Sequence, residues 1–305
     1  MDPELSDLTE QIALDPTQFI GIPLALIGAV FLSLGAQFQH RGVTKVEAHT
    51  RDSLGTGLGL NQLWLLLSRP SWVIGTLMLG LAIVFQLSSL YFAPIIVVQP
   101  LGAIALVITS ILNSRVNKVK LNSKSITAIV MCVGGVFLFV GVAAFTAVDK
   151  PVTERQLIVI LSLLALVLVA AGLAFWFFRS RIRAVFYVIM AGVLYGFVAT
   201  LAKVVIGRVQ QGEFEWLTFA CVIGLLLATA LGAYFVQNAY ASGPPDLVIA
   251  GLTVVDPIVA VLIGIVVLGE ASQAGIFANV TFAIAGAIAV WGVFLLARNH
   301  PQTRL

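Results

Sequence analysis

Charge is what this chain has least of. Asp, Glu, Lys and Arg make up 10% of its 305 residues and hydrophobic residues 60%, whereas a soluble domain carries roughly a quarter charged residues. No single soluble core could hide that much apolar surface, and a mean hydropathy of +1.05 points the same way. Cysteine is nearly absent: Cys132 and Cys221 lie far apart, each inside an apolar run, which offers neither a disulfide framework nor CxxC metal or redox chemistry. Three histidines are present, with no HExxH, no zinc-type spacing and no GxxxxGKS/T loop. An enzyme is not expected, nor a bound cofactor, and ATP is not the direct energy source.

Long apolar runs are what the chain has instead. Runs without charge extend over Phe19 to Gln39, Trp72 to Phe92, Pro94 to Leu112, Ser125 to Ala147, Gln156 to Phe178, Ala184 to Ile206, Trp216 to Ala241, Pro245 to Leu268 and Ala274 to Ala297. Each is near the roughly 20 residues a helix needs to cross a bilayer. The expected fold class is an all-α polytopic membrane protein with nine transmembrane helices. Pro94 falls where one run must stop and the next begin. A proline in a first turn loses no hydrogen bond, so Tyr91-Phe92-Ala93-Pro94 reads as a tight hairpin at the membrane surface.

Basic residues gather on the cytoplasmic side of short loops. Alternate connections carry Arg41, Lys45, Arg51 and Arg69, then Arg115, Lys118, Lys120 and Lys124, then Arg179, Arg181 and Arg183, then Arg298 and Arg304; the others carry Lys150, Arg155 and Arg208. The asymmetry puts the amino terminus outside the cell membrane and the carboxyl terminus in the cytoplasm. The pI near 9.0 then reflects topology and anionic lipid head groups, not nucleic acid. Asp2, Glu4, Asp7, Glu10 and Asp15 precede the first run without a basic residue, unlike a cleaved signal peptide.

The second half repeats the landmarks of the first at one constant offset: Gln86 falls on Gln237, Pro94 on Pro245, Gly135 on Gly286 and Gly141 on Gly292. The expected organisation is an acidic outer segment 1–18, a first four-helix repeat 19–147 with an inner loop 42–71, a linking helix with its loops 148–183, a second four-helix repeat 184–297 and an inner tail 298–305. The odd linking helix inverts the second repeat, an architecture used for alternating access around a midplane site.

Polar groups inside the apolar runs are the candidate site residues. Asp256 lies near the middle of its run. An ionised Asp there costs about 2.5–3.5 kcal/mol on insertion scales, and so faces the bundle interior or water. Lys203 is a basic residue within a run; it either pairs with Asp256 or snorkels to the interface. In the cavity it would favour anionic or zwitterionic solutes. Gln86, Gln237, Asn238 and Gln99 can bind a polar solute without net charge. Pro100 and Pro257 are candidate hinges, because each frees a carbonyl where a broken helix can line a cavity; Pro94 and Pro245 are candidate hairpin residues.

The stretch SSLYFAPIIVVQPLGA at residues 88–103 resembles the drug/metabolite transporter superfamily, and most closely its NIPA-type magnesium transporter branch. The resemblance rests on Tyr91-Phe92-Ala93-Pro94, on Pro100-Leu101-Gly102-Ala103 and on the approach Arg69-Pro70-Ser71-Trp72-Val73-Ile74-Gly75. The second half, with Pro257 and the closing Gly269-Glu270, is similar to EamA-type repeats. Where NIPA-like sequences place an acid after the Pro-Leu-Gly-Ala span, this chain has Val119. The resemblance implies a secondary transporter. The substrate expected first is a small polar metabolite or organic cation, carried by alternating access with a proton or cation as coupling ion. The alternative is a NIPA-like Mg2+ pathway with Asp256 as metal ligand, and the third a non-transporting scaffold or lipid-handling protein. Membrane lipids are expected partners, and a homodimer is left open. A metabolite carrier is expected to tolerate Glu270→Gln and to fail with Asp256→Asn.

Overall fold

The computed structural model of the chain describes residues 18–49, 68–116, 123–178, 184–242 and 245–299. Almost all of the acidic leading segment, residues 50–67 of the long loop, the run around Val119, the 179–183 connection and residues 300–305 lie outside the described residues.

Among the described residues ten helices follow one another: α1 Gln18–His49, α2 Pro70–Phe92, α3 Ile95–Leu101, α4 Ala103–Val116, α5 Ser123–Thr146, α6 Glu154–Phe178, α7 Ala184–Gln211, α8 Trp216–Ser242, α9 Pro245–Ile263 and α10 Ile276–Asn299. A π-helical turn, Gly264–Leu268, continues α9. Among the described residues there is no strand, and nine helical segments are long and apolar enough to cross a membrane, α3 and α4 together making one of them. Large apolar side chains such as Leu77, Phe137, Leu166 and Ile223 stand exposed on the outside of the bundle, where a lipid-facing surface needs them.

Two boundaries differ from the sequence expectation. Helix α1 continues past Gln39 to His49, because no proline or glycine pair interrupts Arg41–His49 and loss of hydrophobicity alone does not stop a helix. The third run is broken at Gly102 into α3 and α4, with Gly102 N–H donating to the Gln99 carbonyl and Ala105 N–H to that of Gly102. Pro100 cannot complete the α-helical ladder, and the turn follows it.

Packing is pairwise. Helix α1 lies along α2 and also meets α4; α7 lies along α8 and meets α9; α5 packs on α10. Ser33 Oγ is 2.8 Å from the Ala105 carbonyl and Ser89 Oγ is 2.7 Å from that of Gly21, so hydroxyls tie α1 to α4 and α2 to α1. The start of α3 is the most enclosed segment, with Ile95, Ile96, Val97 and Val98 no more than 1% exposed. The core therefore sits where the hairpin at Pro94 enters the bundle.

Candidate functional site

A cavity of about 460 Å³ opens between α1, α2, the α3–α4 turn, α7 and α9. Its wall is mostly Ala, Leu and Val, and its polar side chains are Gln86, Gln99, Tyr195, Thr253 and Asp256. Gly102 and Pro257 also line it, which brings the broken third crossing to one wall and the proline-bearing helix α9 to another. Among the described residues that line the cavity, Asp256 is the one of formal charge. Its Oδ1 is buried and has no hydrogen-bond partner. A buried polar atom without a partner is costly, so this oxygen is the atom a ligand would relieve.

Asp256 is positioned by a close approach of α7 and α9. A Cβ added at Gly192 would come within 2.6 Å of the Val255 Cβ, and one at Gly196 within 2.7 Å of the Val259 Cβ and 3.0 Å of the Asp256 carbonyl. The pair is a small-xxx-small pattern of the kind that lets membrane helices touch. Tyr195, between the two glycines, lines the cavity and packs on Gly232 of α8. The GVLYG pattern at Gly192–Gly196 was legible in the sequence and is the signal that could have found this contact.

The sequence-derived residues separate into two groups. Gln86, Gln99, Asp256 and Pro257 line the cavity together. Pro100 lies behind it, in an apolar void with Pro257, Phe139 and Val293. Gln237 is exposed, away from the residues that line the cavity, and Asn238 donates to the Tyr234 carbonyl in its own helix. Pro94 precedes α3 and Pro245 opens α9, while residues 243–244 lie outside the described residues.

Lys203 neither pairs with Asp256 nor snorkels. It is 3% exposed, and its Nζ contacts Asp149 Oδ2 at 2.5 Å, the Leu90 carbonyl at 2.9 Å and the Ala93 carbonyl at 3.1 Å. The hairpin leaves these carbonyls free where α2 ends, and a buried ammonium needs such acceptors. Asp149 was not among the expected site residues; it follows α5 in a short connection, and its sequence surroundings carry no sign of a partner 54 positions away.

Glu270 is the second finding that sequence reasoning missed. It is 2% exposed, and its two carboxylate oxygens accept from Ile95 N–H and Ile96 N–H, each at 2.8 Å. Its own N–H donates to the Gly264 carbonyl at 3.0 Å and its carbonyl accepts from Val148 N–H at 2.8 Å. Gly269, at φ 70°, makes the reversal that aims it inward. Burial pushes the Glu270 carboxyl up to about 7, against the pull of the two amides and Lys203. An acid so fully engaged does not fit the expectation that Glu270→Gln is tolerated.

The sequence profile described as Magnesium transporter NIPA matches residues 17–205. An uncharacterized protein of Corynebacterium glutamicum is 25% identical over 290 residues, covering 94% of this chain and 97% of that protein. Two Arabidopsis thaliana proteins match over shorter stretches. The probable magnesium transporter NIPA4 is 30% identical over 38% of this chain and 32% of its own length, and the probable magnesium transporter NIPA1 is 26% identical over 40% and 35%. No solved structure matches the chain.

Proposed function

Because the chain belongs to the magnesium transporter NIPA family, we propose that this multi-pass membrane transporter carries Mg2+, passing it as a hydrated ion through the cavity around Asp256. One observation carries the reading: among the described residues, the sole charged side chain on the cavity wall is a carboxylate with a buried, unpartnered oxygen. Lys203, which in the cavity would have favoured an anion, is engaged with Asp149 instead. Gln86, Gln99, Tyr195 and Thr253 add neutral oxygens.

Mg2+ sheds water reluctantly and is usually held by one or two carboxylates while keeping several waters. Among the described residues no three His, Cys, Asp or Glu gather into a cage, which suits a hydrated ion and not a stripped one. Six waters at roughly 30 Å³ each need about 180 Å³, and the cavity holds about 460 Å³. The membrane potential supplies about 2.3 kcal/mol per charge per 100 mV, so a divalent cation needs no nucleotide to drive it inward.

The movement is alternating access between two inverted repeats, 19–147 and 184–297. The helix pairings support it: α1 meets α2 and α4 as α7 meets α8 and α9, with α5 against α10 between the units. Pro100 and Pro257 are the hinges of this scheme; both line the apolar void behind the cavity wall, and Pro257 lines the cavity as well. A second reading, an organic cation, draws on the many Ala, Leu and Val residues of the wall. Thermal unfolding of the detergent-solubilised protein separates the two, since a ligand of the folded state raises Tm by mass action. Mg2+ is expected to raise Tm and to be taken up by proteoliposomes, with both effects lost in Asp256→Asn. A response to tetraalkylammonium ions with Mg2+ silent would overturn the magnesium reading.

A further inference from the structure

The hairpin Leu90–Ile96 is held by charges of opposite sign, each taking the backbone groups that suit it. Lys203, from α7, bonds the carbonyls of Leu90 and Ala93 at its entry. Glu270, beyond α9, bonds the amides of Ile95 and Ile96 at its exit. Both holding residues come from the second half of the chain and the hairpin from the first. Asp149 holds Lys203 from the side, and the segment behind Asp149 is in turn fixed by Val148 N–H on the Glu270 carbonyl. Gln156 Nε2 donates to the Val267 and Leu268 carbonyls, so α6 steadies the π-helical turn that carries Glu270.

This assembly stands at one end of the cavity. Leu90 lines the cavity and offers its carbonyl to Lys203, and Ala202, next to Lys203, lines the cavity too. Within the hairpin Leu90, Ala93, Ile95 and Ile96 are all nearly inaccessible. This closure has little slack: a Cβ at Gly264 would clash with the Ile95 Cγ2 and come within 2.9 Å of Glu270 Oε2, and one at Gly21 would clash with the Ala93 Cβ.

We propose that the Leu90–Ile96 hairpin is the gate across this end of the cavity, and that Lys203 and Glu270 are the positioning residues that hold it shut. The gate rests on the reading of the cavity as a transport pathway. Alternating access would open this end by parting the two halves of the chain, which requires the ammonium to leave two carbonyls and the carboxylate to leave two amides. Charge-assisted hydrogen bonds are stronger than neutral ones, and here they add to the apolar packing of Leu90, Ala93, Ile95 and Ile96 in holding the hairpin closed.

The test reads access rather than transport. In a Cys132→Ala, Cys221→Ala background, Ala29→Cys places a thiol on the cavity wall, and Tyr91→Cys, at an exposed hairpin position, reports which side of the membrane the hairpin faces. A membrane-impermeant thiol reagent is applied to intact cells and to inside-out vesicles. With Lys203 and Glu270 present, Ala29→Cys is expected to be labelled slowly from the hairpin side and faster from the other. Lys203→Gln and Glu270→Gln should each speed labelling from the hairpin side by about tenfold or more, the factor one charge-assisted hydrogen bond represents. Lys203→Arg, which keeps the cation, should restore protection. A purely structural role would lower Tm and leave the sidedness of labelling as it was, and that result overturns the gate while leaving the magnesium reading standing. Absence of labelling from either side in every variant would remove the cavity as a pathway, and the gate with it.

Discussion

Asp256 and Glu270 lie on one stretch of chain, on either side of the π-helical turn that ends α9, and their surroundings treat them in opposite ways. Glu270 has both oxygens on backbone amides and a cation nearby. Asp256 has an oxygen buried beside a cavity with no partner. Burying a carboxylate is costly unless it is bonded, so the fold has compensated one acid and left the other open to a ligand. A satisfied acid holds structure, and an unsatisfied one marks where a cation would add stability.

The comparison breaks most sharply under matched amide substitutions. Asp256→Asn is expected to abolish Mg2+ uptake and the Mg2+-induced rise in Tm while leaving the Tm of the ligand-free protein unchanged or higher, since it removes an uncompensated charge. Glu270→Gln should lower the ligand-free Tm, at a cost of about 1–3 kcal/mol, because a side-chain amide offers one acceptor where two amides require two. Scanning calorimetry with and without Mg2+ reads both, and equal behaviour of the two variants would erase the distinction.

Gly192→Ala sharpens the comparison from the packing side. The new methyl would meet Val255 beside Asp256, and overpacking of this kind costs roughly 1–3 kcal/mol. Uptake should fall further than Tm, because α9 is displaced at the cavity while the Glu270 end keeps its bonds. The smallest expected effect separates the paired glutamines. Gln86→Ala should weaken the Mg2+ response in the thermal assay, and Gln237→Ala, at an exposed position, should leave stability within about 0.5 kcal/mol and the Mg2+ response unaltered.

Much of the architecture was legible in the residues. Apolar runs marked the crossings and Pro94 marked the hairpin, whereas the break of the third crossing at Gly102 was foreshadowed only by a hinge at Pro100. Of the expected site residues, Gln86, Gln99, Asp256 and Pro257 line one cavity. The repeat offset was a poorer guide to contacts. Gly135 and Gly292 seat α5 on α10 so closely that an added Cβ would come within 2.6 Å and 2.4 Å of backbone nitrogens, whereas Gly286 has only ordinary clearance from Phe139 and Gly141 meets nothing within 4 Å. Gln86 and Gln237, matched by the same offset, are separated by the same asymmetry. Sequence correspondence preserves helix length and landmark spacing, while each side chain's surroundings depend on how a helix is rotated against neighbours that are not themselves identical.

By itself the sequence determined that the chain enters a membrane as helices, because apolar length and the lack of charge leave the backbone no other way to satisfy its hydrogen bonds in lipid. Only the tertiary structure decided which polar residues would be partnered. Lys203 and Asp149 lie 54 residues apart and Glu270 and Ile95 175 apart. Nothing local to any of these residues specifies such a meeting, because electrostatic and hydrogen-bond energies are set by distances in space and not along the chain.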